Sequence, residues 1–158
     1  MFLKSFEVRW NDLDANRHLA NSAFITYMSH TRMAYFYEMG FSQDFLAEQE
    51  LGPVTFYEHM YYLKEVLPGT PVRVSLEVIG MSEDGMFFEF HHHFFDREGK
   101  QLAFCEIMGG WMNLKTRKLT PLDAEMLEKF SKLPKGEGFR ILTKADTRRY
   151  PIPRKDLA

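Results

Sequence analysis

From residue 54 onward the chain alternates apolar and polar positions for about sixty residues, broken only by turn sequences, and this pattern constrains its fold most. Val54, Phe56, Met60 and Tyr62 alternate with Thr55, Tyr57, His59 and Tyr61. After a turn at Pro68-Gly69, Val72, Val74, Leu76 and Val78 alternate with Arg73, Ser75 and Glu77. Glu83-Asp84-Gly85 and Asp96-Arg97-Glu98-Gly99 read as hairpin turns, because glycine accepts the positive φ such turns need. Between them Phe88, Phe90, His92 and Phe94 share one face, and Leu102, Phe104, Ile107 and Met108 lie in a last strand running to about Asn113. Consecutive strands joined by tight turns give an antiparallel sheet.

The segment before that sheet has a different period. Phe24, Tyr27, Met28, Thr31, Ala34, Tyr35 and Met39 recur at helical spacing, and Gly40 supplies a stop. Ile25, Met33, Phe36 and Tyr37 widen the apolar surface, so this helix is expected to be largely wrapped by other elements. Residues 42–50 read as a short second helix capped by Ser42. A first strand is expected from Phe2 to Trp10, with Phe2, Phe6, Val8 and Trp10 facing inward. Pro121, Leu122, Met126, Leu127 and Phe130 open and line a short amphipathic helix. The expected class is therefore α+β: a five-stranded antiparallel sheet wrapped around one long central helix. Residues 1–133 form the domain, and 134–158 form a basic, Pro/Gly-rich extension, either a docked arm or a partly ordered one.

Between strand and helix lies the chemistry. The loop from Asn11 to Ala20 carries Asp12, Asp14 and His18 and delivers the chain to a helix N-terminus, with Asn21 or Ser22 as the expected cap. Backbone amides at a helix start lack partners and the dipole there favours negative charge, which suits an active site. Of the His91-His92-His93 run only His91 and His93 share a strand face, and no third ligand stands at a recognisable spacing, so no metal site is expected. Cys105 reads as packing, and Glu58, on an inward-facing position, needs a partner or a role, an ion pair ahead of a second pocket carboxylate. Net charge is -2, which gives no argument for nucleic acid or an anionic membrane. The single cysteine excludes an intrachain disulfide, and no segment is long enough to span a bilayer; a cytoplasmic protein is expected.

Residues 8–21, VRWNDLDANRHLAN, resemble the opening motif of hotdog-fold acyl-CoA thioesterases of the 4-hydroxybenzoyl-CoA thioesterase type, roughly R-W-x-D-x-D-x-x-x-H-x-x-N. The resemblance continues through Arg32 on the following helix, Tyr62-Leu63-Lys64, Pro68-Gly69, Trp111-Met112-Asn113 and Pro121. Ala20, Val66 and the glycine-rich Met108-Gly109-Gly110 depart from it. It implies a hotdog fold and hydrolysis of an acyl-CoA to acid and coenzyme A. Asp14 would be the nucleophile or general base, with His18 in support and the backbone amide near Asn21 polarising the thioester oxygen. Asp12 is expected to tie the loop to the strand. Lys115 and Arg117, beside Lys118 or together with the basic tail, are expected to meet the phosphates of coenzyme A. No cofactor is expected, since coenzyme A is part of the substrate. Because sheet edges and part of the helix would stay uncovered, a homodimer or homotetramer is expected. An acyl carrier protein thioesterase and a non-catalytic acyl-CoA binding module are the alternatives.

Overall fold

The computed structural model describes residues 1–157. In chain order it contains β1 (Phe2–Phe6), α1 (Asn21–Glu38), α2 (Gln43–Glu48), β2 (Leu51–Tyr62), β3 (Val72–Ser82), β4 (Phe87–Phe95), β5 (Gln101–Asn113), β6 (Lys118–Leu119), α3 (Ala124–Ser131) and β7 (Lys135–Leu142). Strands β1-β3-β4-β5-β2 lie side by side in that order, each antiparallel to its neighbour. These are the five strands the alternation implied. The turns between β3 and β4 and between β4 and β5 rest on Gly85 (φ 70) and Gly99 (φ 85), where a Cβ would be strained.

Two strands extend the sheet beyond expectation. Residues 118–119 fold back on the end of β5 as β6. β7, from the basic extension, runs parallel to β3, pairing Gly80 with Arg140 and Ser82 with Leu142. It occupies the stretch of the β3 edge beyond β1, which pairs only with residues 72–76. The first part of the extension is thus a docked strand.

α1 packs across the concave face of the sheet. Phe24, Tyr27, Met28, Thr31, Tyr35 and Phe36 are buried against it, while Ile25 and Tyr37 on the far side are exposed, so the sheet covers one face of the helix and does not surround it. Phe36 sits in a ring-rich cluster with Phe90, Trp111 and Phe130, the last supplied by α3, whose first turn is capped by Asp123 accepting from the Met126 amide at 2.8 Å. Gly109 and Gly110, unexpected in a packed strand, are close-approach positions. A Cβ at Gly109 would lie 2.6 Å from the Val54 carbonyl oxygen and 2.6 Å from the Phe88 ring.

The first strand is shorter than its period suggests. β1 ends at Phe6, residues 10–12 form a single 3-10 turn, and Trp10 is 88% exposed instead of facing inward. The turn follows from Asp12, whose carboxylate draws the chain back on itself as described next.

Candidate active site

The turn is held by a buried carboxylate. Asp12 accepts from the Arg9 amide at 3.0 Å, from Arg9 Nε at 3.1 Å and Nη2 at 3.1 Å, and from the Tyr27 hydroxyl at 2.8 Å. The Arg9 hydrogen bonds hold the Asp12 carboxyl below its ordinary range, and burial pushes the Tyr27 phenol up. The Asp12 carbonyl also takes the Ala20 amide at 2.9 Å. Asp12 therefore fixes where the loop leaves β1 and where it enters α1, and it does not line the cleft described below.

Within this frame residues 13–19 fold into a tight hairpin. Leu13 bridges Leu19, Asp14 N–H donates to the His18 carbonyl at 2.9 Å, and Arg17 takes the positive φ (64) that the reversal requires. The Asp14 side chain is oriented by its own loop. Oδ1 accepts from the Asn16 amide at 2.8 Å, and Oδ2 lies 3.1 Å from His18 Nδ1. Both side chains are 30% exposed, and they face a cleft of about 410 Å³ lined by Asp14, His18, Leu19, Asn21, Phe24 and the segment 62–66.

The far wall, Tyr62, Leu63, Lys64, Glu65 and Val66, is joined to the loop by the Leu19 amide donating to the Val66 carbonyl at 2.8 Å. These wall residues were not singled out from sequence, although Tyr62-Leu63-Lys64 carries part of the family resemblance. Asn21 is not a cap. Ala20 takes that position, no side chain caps α1, and Asn21 is the first helical residue at the mouth of the cleft. Ala20 can offer the helix no side-chain acceptor, and among the described residues the Asn21 and Ser22 amides donate to nothing within the chain. The arrangement places a fixed carboxylate and an imidazole on one apolar cleft, with the uncapped start of α1 at its mouth.

Deeper under the sheet, α1 carries Arg32 into a polar cluster. Arg32 donates to His92 Nε2 at 3.2 Å and to Ser29 Oγ at 3.0 Å, and it lies 3.9 Å from Glu58. Since arginine can only donate, Nε2 of His92 accepts and its Nδ1–H donates to the Ser75 carbonyl at 2.7 Å. Glu58 thus has the ionic partner its inward position called for. Burial pushes the neighbouring Cys105 thiol up to about 12, so no reactive thiolate is available there.

Lys115 and Arg117 stand elsewhere. They lie in the turn between β5 and β6, with Lys115 paired to Glu50 and Arg117 at positive φ. That turn adjoins the start of β2, since Leu51 pairs with Asn113, whereas the cleft adjoins its other end at Tyr62. Within one chain the two are separated by the length of a 12-residue strand.

Residues 8–130 match the thioesterase-like superfamily, and the chain belongs to it; by class it is a hydrolase. Solved structures share the fold at low identity. A Staphylococcus aureus protein determined in complex with CoA superposes with a TM-score of 0.77 at 18% identity, over 96% of this chain and 95% of that one. The DHNA-CoA thioesterase of Staphylococcus aureus gives 0.76 at 19% identity, over 83% and 89%. The 1,4-dihydroxy-2-naphthoyl-CoA thioesterase of Synechocystis gives 0.72 at 14% identity, over 84% and 96%. The architecture is the hotdog fold of these enzymes. No curated protein sequence gives a significant match. Among the described residues no helix is long and apolar enough to cross a membrane.

Proposed function

We propose that the protein hydrolyses an acyl-CoA thioester to the free acid and coenzyme A, with Asp14 as the essential carboxylate. The observation that carries this reading is the placing of Asp14, oriented by His18 and the Asn16 amide, in an apolar cleft beside an uncapped helix start. A thioester carbonyl seated against the Asn21 and Ser22 amides gains stabilisation of the developing oxyanion from fixed dipoles. Asp14 then either attacks the carbonyl carbon, giving a mixed anhydride that water cleaves, or takes a proton from the attacking water. The sulfur leaves as the coenzyme A thiolate, and the chemistry asks for no metal or organic cofactor. Leu19, Phe24, Leu63 and Val66 favour an apolar or aryl acyl group, and the likeness to two CoA thioesterases and to a protein determined in complex with CoA supports coenzyme A as the carrier.

The working unit in this proposal is a homodimer. Among the described residues the outer edge of β2 is unpaired, and Tyr61, Tyr62 and Leu63 beside it are exposed. Antiparallel pairing of two such edges sets the start of one β2 beside the end of the other. Lys115 and Arg117 of the second copy then border the Asp14 cleft, where phosphates of coenzyme A would meet them.

Release of thiol from a panel of aryl- and fatty acyl-CoA esters tests the reading. Turnover of at least one ester is expected, and turnover of none overturns it.

A further inference from the structure

The convex face of the sheet, opposite α1, holds a second group of converging side chains. Along β4 Glu89, His91 and His93 are among the residues on the face away from α1, while Phe88, Phe90 and His92 face inward. His91 stands in register between Glu77 on β3 and Glu106 on β5. Its Nε2 lies 4.0 Å from Glu89 Oε1 and 4.0 Å from Glu106 Oε1, and the three atoms fall within 4.8 Å of one another.

The other carboxylate oxygens are taken by the extension that begins at β7. Arg140 donates to Glu89 Oε2 at 2.6 Å and also binds Asp146, while Arg149, beyond a 3-10 turn at residues 144–147, donates to Glu106 Oε2 and lies 3.1 Å from His59 Nδ1. Each arginine thus fixes one oxygen and leaves Oε1 turned toward His91 with no hydrogen bond among the described residues. Glu89 is only 5% exposed, and its Oε1 is the oxygen left without a protein donor among the described residues. The His91 ring is held edge-on by Phe104, 5.0 Å between centroids.

We propose that Glu89, His91 and Glu106 bind one divalent first-row cation, zinc among those available, on the outer face of the sheet. Two carboxylate oxygens and one imidazole nitrogen are donors such ions accept, and water completes the shell. At metal–ligand distances of about 2.1 Å, tetrahedral donors lie roughly 3.4 Å apart, so the two 4.0 Å gaps and the gap of up to 4.8 Å between the carboxylate oxygens close by rotamer adjustments. The charge fits as well: the carboxylates of Glu77, Glu89, Glu106 and Asp146 face two guanidiniums, Arg140 and Arg149, and a divalent ion makes up the difference. Arg140 and Arg149 act as outer partners that aim the ligands. The ion ties β4 to β5 under the C-terminal extension and takes no part in thioester chemistry.

Sequence spacing hides this site, because the oxygen donors come from one position along β4 and from a neighbouring strand. Its test is titration of tag-free, chelator-treated protein with Zn(II) by calorimetry, and with Co(II) followed by visible absorption. The expected result is one ion per chain, a rise in Tm on loading, and a Co(II) spectrum of imidazole coordination. In His91→Ala and in Glu106→Gln affinity falls at least tenfold, whereas Asp14→Asn binds like wild type. Because His91 is half-buried at the surface, His91→Ala is expected to fold, and its circular dichroism and thioesterase activity report this independently. Absence of stoichiometric binding, or binding unchanged in both ligand variants, overturns the proposal and leaves the thioesterase reading untouched.

Discussion

Asp14 Oδ2 lies 3.1 Å from His18 Nδ1, across the ends of a hairpin that Leu13 and Leu19 close. The imidazole lies against one carboxylate oxygen while Asn16 N–H holds the other, so in the proposed mechanism His18 is a supporting group and Asp14 the essential one. His18→Ala is expected to lower kcat about 10- to 100-fold with KM changed little, as for a lost supporting contact in general acid–base chemistry. Steady-state kinetics on the preferred ester checks this. A KM effect with unchanged kcat would place His18 in binding instead.

Asp12 carries the architecture of the same loop. Asp12→Ala leaves the Arg9 side chain without its acceptor and the Tyr27 hydroxyl with only the longer bond to the Glu7 carbonyl at 3.3 Å, and is expected to cost about 1–2 kcal/mol in urea unfolding. Its carboxyl is held below the ordinary range by Arg9, so the unfolded chain binds the proton more readily than the folded one. The stability this gives is complete above the unfolded carboxyl range, near pH 4, and is lost as pH falls through the folded value. Urea midpoints measured from pH 6 down to pH 3 should fall less steeply in Asp12→Asn than in wild type.

Gly109 sits where β5 passes under Phe88 and beside Val54. The ring can move by a rotamer adjustment, but the carbonyl oxygen 2.6 Å from the would-be Cβ belongs to the backbone. Gly109→Ala is therefore expected to destabilise the fold by roughly 1–3 kcal/mol, read as a lower Tm. An unchanged Tm would show that the β2 bulge near Thr55 absorbs the methyl group.

The free edge of β2 predicts the mass in solution. Light scattering should give at least twice the 18.7 kDa chain mass. A single-chain mass in an active sample would remove Lys115 and Arg117 from the cleft, since within one chain they stand at the other end of β2.

Much of the fold was legible because its signals are local. Gly85 and Gly99 mark turns by a conformational need, and the period of two from Val72 to Val78 survives burial of one face. Trp10 misled because the period of two runs on past β1, whereas the chain is turned by the contacts that Asp12 makes to Arg9 and to Tyr27, the latter distant in sequence. β7 escaped notice because its composition is polar and glycine-bearing, and its partner on β3 is more than fifty residues away. In the site, Asp14 and His18 could be read from one motif. The wall from Tyr62 to Val66 becomes part of the site only through the hydrogen bond from Leu19 to Val66. Asn21 resembled a cap by residue type, but the extended backbone that defines the cap belongs to Ala20 (ψ 147), and type alone does not report that angle.

Asp14→Asn tests the central claim most directly. The amide keeps the shape of the side chain and its loop contacts while removing the negative charge, so the variant should fold with an unchanged circular dichroism spectrum. Measured as thiol release from the acyl-CoA that wild type hydrolyses best, kcat is expected to fall at least 1000-fold. Retention of a tenth or more of wild-type kcat in the folded variant would contradict the account, because no other carboxylate in the cleft, Glu65 included, shares the orientation that His18 and Asn16 give Asp14.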